Sequence, residues 1–443
     1  MGKEVALSLF LASILGPVYP CLAGNSPESQ QPETTIEKTI VVRNFGFQCG
    51  LTTTNCGRND GTLVWPDAEA QPGMLRLHDV GTSWSDLSTG PGTYNWTKLD
   101  TWLDTIARHR PIGVIQVFSW VPCWEASPCE GLNVAPTGTN VPPDDLTESG
   151  SPSFNHFVTK FVQHCSPAGN CAGDCPPAKT CAKTNLIKYY EMWNEWDTWM
   201  RWKGTVDQLY DMLAPATDII RANATDAVIL TPSTTRGKIK SFEAWLNTET
   251  TNGRISDWVV WHEYLWDRTP EDEWSQFGKL YLSTLRSLPD WKGVPWADTE
   301  TNYDVNTFAC PRKFSAAECT GQIVRWQLIN SSNGTSNLNW YKWNETIASN
   351  ARYETTYYYM MQYLMGGTFG GPCTSSGSTP TWTCNFTKSD GVAALWVWTP
   401  KEAETSFTVP SGYVDYLDMS GVKTTVHAGE SITLGPIPIM LEQ

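Results

Sequence analysis

Short apolar runs alternate along the chain with segments whose apolar residues recur at helical spacing. Phe45–Cys49, Met74–His78, Gly113–Phe118, Ile187–Trp193, Ala227–Thr231, Trp258–His262, Val294–Asp298 and Leu338–Trp343 read as eight strands. Between them, Leu99, Trp102, Leu103 and Ile106 form one helical stripe. Phe154, Phe157, Val158 and Phe161 form a second, and Leu209, Leu213, Ala216 and Ile220 a third. Strand-then-helix alternation over residues 37–366 implies a parallel sheet, and eight units imply its closure into a (β/α)8 TIM barrel. An open doubly wound sheet is the rival, but no Gly-rich nucleotide loop follows the first strand.

The pattern changes after residue 366. Residues 367–443 are rich in Gly, Thr, Ser, Val and Pro, with short alternating runs at Ala393–Trp398 and Ser406–Val409. Turn signals at Pro410-Ser411-Gly412 and Ala428-Gly429 punctuate them, so a C-terminal antiparallel β-sandwich domain is expected, braced against the barrel. The chain as a whole is of α/β class.

Composition narrows the partners. The 443 residues are 40% hydrophobic, which allows a sizeable core, and carry a formal net charge of −15. That field repels a phosphate backbone or an anionic membrane, so neither nucleic acid nor membrane is an expected partner. The 23 Trp exceed ordinary usage. Most indoles are core residues, but an excess also suits the flat apolar faces of sugar rings.

Residues 1–23 read as a signal peptide: Lys3 supplies the charge, Ala6–Leu15 the apolar run, and Cys21-Leu22-Ala23 a small-residue exit. Residues 24–36 are polar and Pro-containing, as a flexible leader would be. The mature protein is therefore expected to be secreted, extracellular or periplasmic. Of the 13 Cys, 12 remain once Cys21 is removed. They group locally as Cys49/Cys56, Cys123/Cys129, Cys165/Cys171/Cys175/Cys181, Cys310/Cys319 and Cys373/Cys384, which suits loop-stapling disulfides in an oxidising compartment. The four at 165–181 either hold zinc or form two disulfides; their spacing is not the paired CxxC of a zinc ribbon, which favours disulfides. Sequons stand at Asn95, Asn223, Asn330, Asn333, Asn344 and Asn385.

Reacting groups of such a barrel belong at the C-terminal ends of its strands. Tyr189 to Trp196 enters as a strand and ends in Asn194-Glu195 flanked by indoles. A carboxyl there is partly desolvated, which raises its pKa and favours a general acid. Glu191, earlier on the strand, is expected to pair with a neighbouring Lys or Arg. Glu300 ends the seventh strand, 105 residues after Glu195, so the two come from strands facing each other across the mouth. Asp298 is the weaker competitor, because its reach is shorter and its position earlier. By themselves, two such glutamates fit either a catalytic pair or buried ion-pair partners.

Trp193-Asn194-Glu195 on a fourth strand, with Glu300 on a seventh, resembles the clan A retaining glycosidases. Arg76-Leu77-His78, Trp84, Tyr94-Asn95-Trp96 and Leu99-Asp100 look most like glycoside hydrolase family 39, which includes β-xylosidases, α-L-iduronidases and enzymes that cut bacterial exopolysaccharides. Tyr416-Leu417-Asp418, Ile432 to Gly435 and Pro438-Ile439 resemble the β-domain that follows the barrel there. The resemblance implies that Glu195 is acid/base and Glu300 nucleophile, in hydrolysis of an O-glycosidic bond of a carbohydrate substrate by double displacement. It further implies that Asn194 binds the sugar 2-hydroxyl and that Arg76 keeps the nucleophile ionised. His262 and Tyr264 would orient nucleophile or substrate, and Trp343 would form an aromatic floor. Glu263, between His262 and Tyr264, should point away on a period-2 strand. No metal or organic cofactor is implied. Two features depart from the family pattern: a long loop from Trp120 to about Pro152, and a Cys-rich insert at 165–185 on the opposite face. A secreted carbohydrate-binding protein without catalysis, or a transglycosylase using the same residues, are the alternatives.

Overall fold

The computed structural model of the chain describes residues 39–49, 72–108, 113–129, 138–165, 187–304, 306–378, 380–401 and 405–443. The expected signal and leader segments, Cys56, and the cysteines at 171, 175 and 181 lie outside the described residues.

All eight expected strands are present: β1 Phe45–Phe47, β2 Met74–Leu77, β3 Gly113–Val117, β4 Ile187–Glu191, β5 Val228–Leu230, β6 Val259–His262, β7 Trp296–Thr301 and β8 Asn337–Trp340. They form one parallel sheet in which β8 pairs with β1 and chain neighbours otherwise pair in turn from β1 to β5 and from β6 to β8. The β5–β6 seam is narrower, with isolated parallel bridges Leu230↔Trp258 and Thr234↔Trp261. Every strand differs from the sequence expectation at one end or both, by one to three residues, most at the C-terminal ends of β7 and β8. β7 runs on to Thr301, because His262↔Glu300 and Thr301↔Trp340 continue its ladders. β8 stops at Trp340, and the chain turns at Lys342, whose φ is 53°.

The helices α1 Thr97–Arg108, α2 Pro152–His164, α3 Val206–Asn223, α4 Ile239–Asn252, α5 Lys279–Ser287, α6 Ala316–Ser332 and α7 Ala351–Leu364 follow strands β2 to β8. Local sequence starts them. Ser151 caps α2 ahead of Pro152, and Thr205 with Gln208 and Ser315 with Glu318 form capping boxes on α3 and α6. The three stripes expected on α1, α2 and α3 face the sheet, and every one of those residues is fully buried. Each such burial is worth roughly 1.5–3 kcal/mol before entropy is counted. A smaller cluster fills the barrel interior: Met74, Ile115, Val117, Leu230, Trp258, Val260 and Ala297. It forms the floor beneath the strand ends.

Beyond α7, strands β9 Thr368–Phe369, β10 Thr374–Ser376, β11 Thr381–Thr387, β12 Ala393–Trp398, β13 Thr405–Thr408, β14 Asp415–Leu417, β15 Lys423–Thr425, β16 Ser431–Leu434 and β17 Ile439–Glu442 build the antiparallel layer. β9-β11-β12-β17-β14-β15 is its spatial order, with β10 on β11, and β13 and β16 form a separate ribbon. One face packs Leu395, Val397 and Leu441 toward Val409, Val426 and Leu434. On the other face, Phe386, Trp396, Trp398 and Met440 join the main core. This contact explains α6, whose polar residues Gln322, Arg325 and Gln327 are fully buried. Arg325 pairs with Glu271 at 3.0 Å and donates to the Pro400 carbonyl at 3.1 Å, and Glu271 also accepts from Trp398 Nε1 at 2.6 Å. Gly321 lies so close to the Pro436 carbonyl that a Cβ would collide with it. Disulfides Cys123–Cys129, Cys310–Cys319 and Cys373–Cys384 staple three loops.

Candidate active site

Period-2 alternation decides which side chains enter the barrel mouth. On β2, Met74 belongs to the interior floor, Leu75 to the outer core, and Arg76 points inward again. The same count carries β6 from Val260 to His262 and β4 from Tyr189 to Glu191. Strand β7 breaks the rule. Ala297 faces inward, so Glu300 should share the outer side with Asp298, but the register shifts between Asp298 and Thr301. The irregularity re-aims Glu300 into the mouth, a common use of a bulge beside a site.

Arg76 is the hub. Its guanidinium donates to both oxygens of Glu191 at 2.7 and 2.8 Å, to Gln48 Oε1 at 2.7 Å, to Glu300 Oε2 at 2.7 Å and to Asn194 Oδ1 at 2.7 Å. Burial pulls its pKa down, but Glu191 and Glu300 more than offset that, so it stays charged. Glu191 is likewise buried, yet Arg76 and His262 hold its carboxyl well below the usual range. A buried charge is tolerable only when paired and hydrogen-bonded, and here both partners are. The Nδ2 of Asn194 is buried and has no partner among the described residues.

Glu195 sits in the left-handed region, with φ 47°, a conformation that costs a non-glycine residue of order 1–3 kcal/mol. The β5 loop holds it there: the Ser233 Oγ accepts from Glu195 N at 3.0 Å, and Ser233 N donates to Trp193 O at 2.9 Å. Its Oε1 lies 3.0 Å from His262 Nδ1 and its Oε2 3.6 Å from Arg201 Nε. Burial opposes ionisation, but His262 and then Arg201 outweigh it and keep Glu195 below the ordinary carboxylate range. His262 moves the other way. Burial disfavours its charge, yet Glu300, Glu191 and Glu195 push it up to about 10. His78, buried behind Glu300, is pushed down by burial to about 3.

Tyr264 donates to Glu300 Oε1 while Arg76 holds Oε2. Burial pushes the Glu300 carboxyl up, His262 and Arg76 pull it back, and Glu195 opposes them. One donor atom each from Glu195, His262 and Glu300 lie within 4.8 Å of one another. Three such donors can hold a cation. The Arg76 guanidinium bonded to Glu300 and the hydrogen bonds already on these donors weigh against that use.

The mouth thus brings together Arg76, Asn194, Glu195, His262, Tyr264 and Glu300, each expected there. Trp343 is not among them. Three residues past the end of β8, it is 1% exposed and packs on Phe47 and Tyr357 at centroid distances of 5.8 and 4.9 Å. The turn at Lys342 carries its ring into the layer between barrel and α7, so the expected aromatic floor is absent at that position. Tyr341 occupies the rim instead, donating to Asp79 Oδ2 at 3.0 Å. Gln48, Asp79, Arg201 and Tyr341 escaped the sequence reading, and His78 entered it only within the Arg76-Leu77-His78 motif, without a role. A clue existed for Asp79 alone, directly after the Arg76-Leu77-His78 strand end.

No family model matches the sequence, and no curated protein does. Solved structures do match in shape. A family 39 glycoside hydrolase from the gut symbiont Bacteroides cellulosilyticus superposes over 92% of this chain and 81% of its own, with a TM-score of 0.62 and 13% identity. The catalytic domain of a family 30 xylanase from Talaromyces cellulolyticus covers 92% of this chain and 98% of its own, with a TM-score of 0.57 and 10% identity. A glucosidase from Croceicoccus marinus covers 92% and 97%, with a TM-score of 0.55 and 14% identity. At such identities the likeness is one of architecture, and in architecture this chain is similar to the barrel glycoside hydrolases of clan A.

Proposed function

We propose that the protein is a secreted glycoside hydrolase that cleaves an O-glycosidic bond with retention, using Glu300 as nucleophile and Glu195 as acid/base. One observation carries this reading: a half-buried Glu195 and a buried Glu300 from facing strands, with carboxylate oxygens within 4.8 Å of each other. A retaining pair needs its carboxyls about 5–5.5 Å apart, whereas an inverting pair leaves about 6.5–9.5 Å for a water. The similarity in fold to family 39 and family 30 enzymes supports the reading, and the three stapled loops suit an oxidising compartment.

In the first step a Glu300 oxygen attacks the anomeric carbon as the bond to the leaving oxygen breaks, and that oxygen takes a proton from Glu195. Arg76 and Tyr264 donate to the two Glu300 oxygens, which favours the ionised nucleophile. The proton that Glu195 delivers is shared with His262, whose hydrogen bond and charge favour the ionised carboxyl. The 3.0 Å Nδ1–Oε1 contact is its route to Glu195. In the second step Glu195 takes a proton from water, the resulting hydroxide attacks the anomeric carbon, and Glu300 departs. Asn194, anchored through Oδ1 to Arg76 and with Nδ2 unspent, is placed to donate to the sugar.

The test compares wild type with Glu300→Gln on aryl glycosides and polysaccharides, following product and its anomeric configuration by NMR. Retention by wild type, and a loss of about a thousandfold or more in kcat for the variant, are expected. Inverted product, or undiminished turnover in the variant, overturns the mechanism.

A further inference from the structure

The chain leaving β4 folds back on Glu195. Thr198 N donates to Glu195 O at 3.1 Å, Arg201 N to Thr198 O at 2.9 Å, and Trp193 Nε1 to Arg201 O at 3.2 Å. These bonds fix the Arg201 backbone beside the acid/base candidate. Its guanidinium lies 4.8 Å over the Trp120 ring and 3.6 Å from Glu195 Oε2. Among the described residues it donates no hydrogen bond, although its side chain is only 19% exposed. The contrast with Arg76 is sharp, because that guanidinium spends its donors on four protein side chains.

We propose that Arg201 and the loop around it form a subsite on the leaving-group side for a sugar that bears an anionic substituent, a carboxylate or a sulfate ester. The proposal rests on the glycosidase reading, since Glu195 as proton donor defines that side of the cleft. A departing oxygen must come within about 3 Å of the carboxyl that protonates it. With Arg201 Nε 3.6 Å from that carboxyl, substituents of the departing ring fall within its reach. Stacking on an indole face leaves the in-plane N–H donors of a guanidinium open, and their fork matches a carboxylate or sulfate. On the same loop Trp199 is 68% and Met200 45% exposed, which offers apolar surface to a sugar face. Asn140 Nδ2 pins this stretch by donating to Trp199 O at 2.5 Å.

An anion at this position also serves the chemistry. Against burial, His262 and Arg201 keep Glu195 ionised, so a substrate charge that neutralises Arg201 favours the protonated acid the first step requires. The charge on the substrate would then assist cleavage as well as binding.

Calorimetric titration of the full chain carrying Glu300→Gln tests the subsite without turnover. The probes are glucuronate-bearing oligosaccharides, their carboxyl-reduced counterparts and the same backbones bearing sulfate. At least one anionic form is expected to bind about tenfold or more tighter than its reduced counterpart. Tighter uronate identifies a carboxylate subsite, and tighter sulfate a sulfate one. Adding Arg201→Gln should abolish the preference and Arg201→Lys should retain part of it, with melting temperatures checked to exclude misfolding. Equal binding of charged and reduced forms, no binding of any anionic probe, or a preference that survives Arg201→Gln overturns the proposal. Charge-selective binding without hydrolysis by wild type would sink the glycosidase reading alone. Hydrolysis of neutral substrates with no charge preference would sink this subsite alone.

Discussion

Glu191 and Glu300 on the inner face of the strand ends, and Glu263 and Asp298 on the outer face, are carboxyl groups buried to the same degree. Their surroundings differ completely. The inner pair meets Arg76, which donates to both, and Glu191 is held well below the usual range. Glu263 follows His262 directly and points away, as period 2 requires. Neither of its oxygens has a hydrogen-bond partner among the described residues, and burial, Glu273 and Asp298 push it well up. Asp298, accepting weakly from the backbone N–H of Glu263 and Glu300 at 3.3 and 3.4 Å, is also pushed well up by burial. Arg236 is near, but its guanidinium is bonded to Glu273. On the face that carries Arg76, its cation offsets the burial of a strand-end carboxyl, enough to hold Glu191 low though not Glu300; on the other face burial of Glu263 and Asp298 goes largely uncompensated.

The most disruptive way to break this contrast is Arg76→Gln. It strands Glu191 without its guanidinium, and removing one partner of a buried pair costs about 3–5 kcal/mol. Chemical denaturation of this variant should show that loss together with abolished turnover, and unchanged stability would mean the inner carboxyls do not depend on Arg76. A sharper probe is His262→Gln. With the histidine present, the shared proton is retained until pH passes the raised His262 value of about 10. Without it, Glu195 must hold the proton alone, so the alkaline limb of kcat/KM should move to lower pH. At pH 8 the loss should be one to two orders of magnitude.

Asp298→Asn asks which carboxyl on β7 reacts. An outer-face carboxyl that, among the described residues, bonds to the mouth only through the Glu300 backbone N–H, exchanged for an amide, should alter kcat by less than about tenfold, against the thousandfold or more expected for Glu300→Gln. An equal loss in both would return Asp298 to contention. The smallest effect belongs to Glu263→Gln. The folded-state pKa of Glu263 lies above its unfolded value of about 4.3, so its contribution is full below that pH and is lost as pH rises through the folded value. An amide does not titrate. Calorimetric scans should show the variant gaining melting temperature relative to wild type as pH rises, and a gain independent of pH would show that Glu263 is already ionised.

Much of the fold was legible because barrels repeat a simple pattern. The three helical stripes on α1 to α3 and all eight strands follow from apolar spacing, which burial enforces directly. The site was legible where alternation holds: Arg76, His262 and the outward Glu263 obey period 2. It failed at Trp343, because a turn at Lys342 after β8 swings the ring outward, and no local pattern announces a single residue with positive φ. It also missed Gln48 and Arg201. Gln48 matters through Arg76 on the next strand, and Arg201 through the Trp120 ring from a distant loop and a backbone that folds back to Glu195, six residues before it.

By itself the sequence determined what each segment buries: which runs become strands, which helix faces meet the sheet, and where the antiparallel layer begins. These properties depend on neighbours a few residues away, through backbone geometry and the hydrophobic effect. Tertiary structure decided the chemistry. A bulge on β7 turned Glu300 inward, a left-handed residue aimed Glu195 at His262, and a guanidinium from β2 set which carboxyls keep their charge. Electrostatic energies in a buried site depend on separations of a few ångströms between residues 67 to 224 positions apart, as Glu195–His262 and Arg76–Glu300 are, and only the closed barrel fixes those separations.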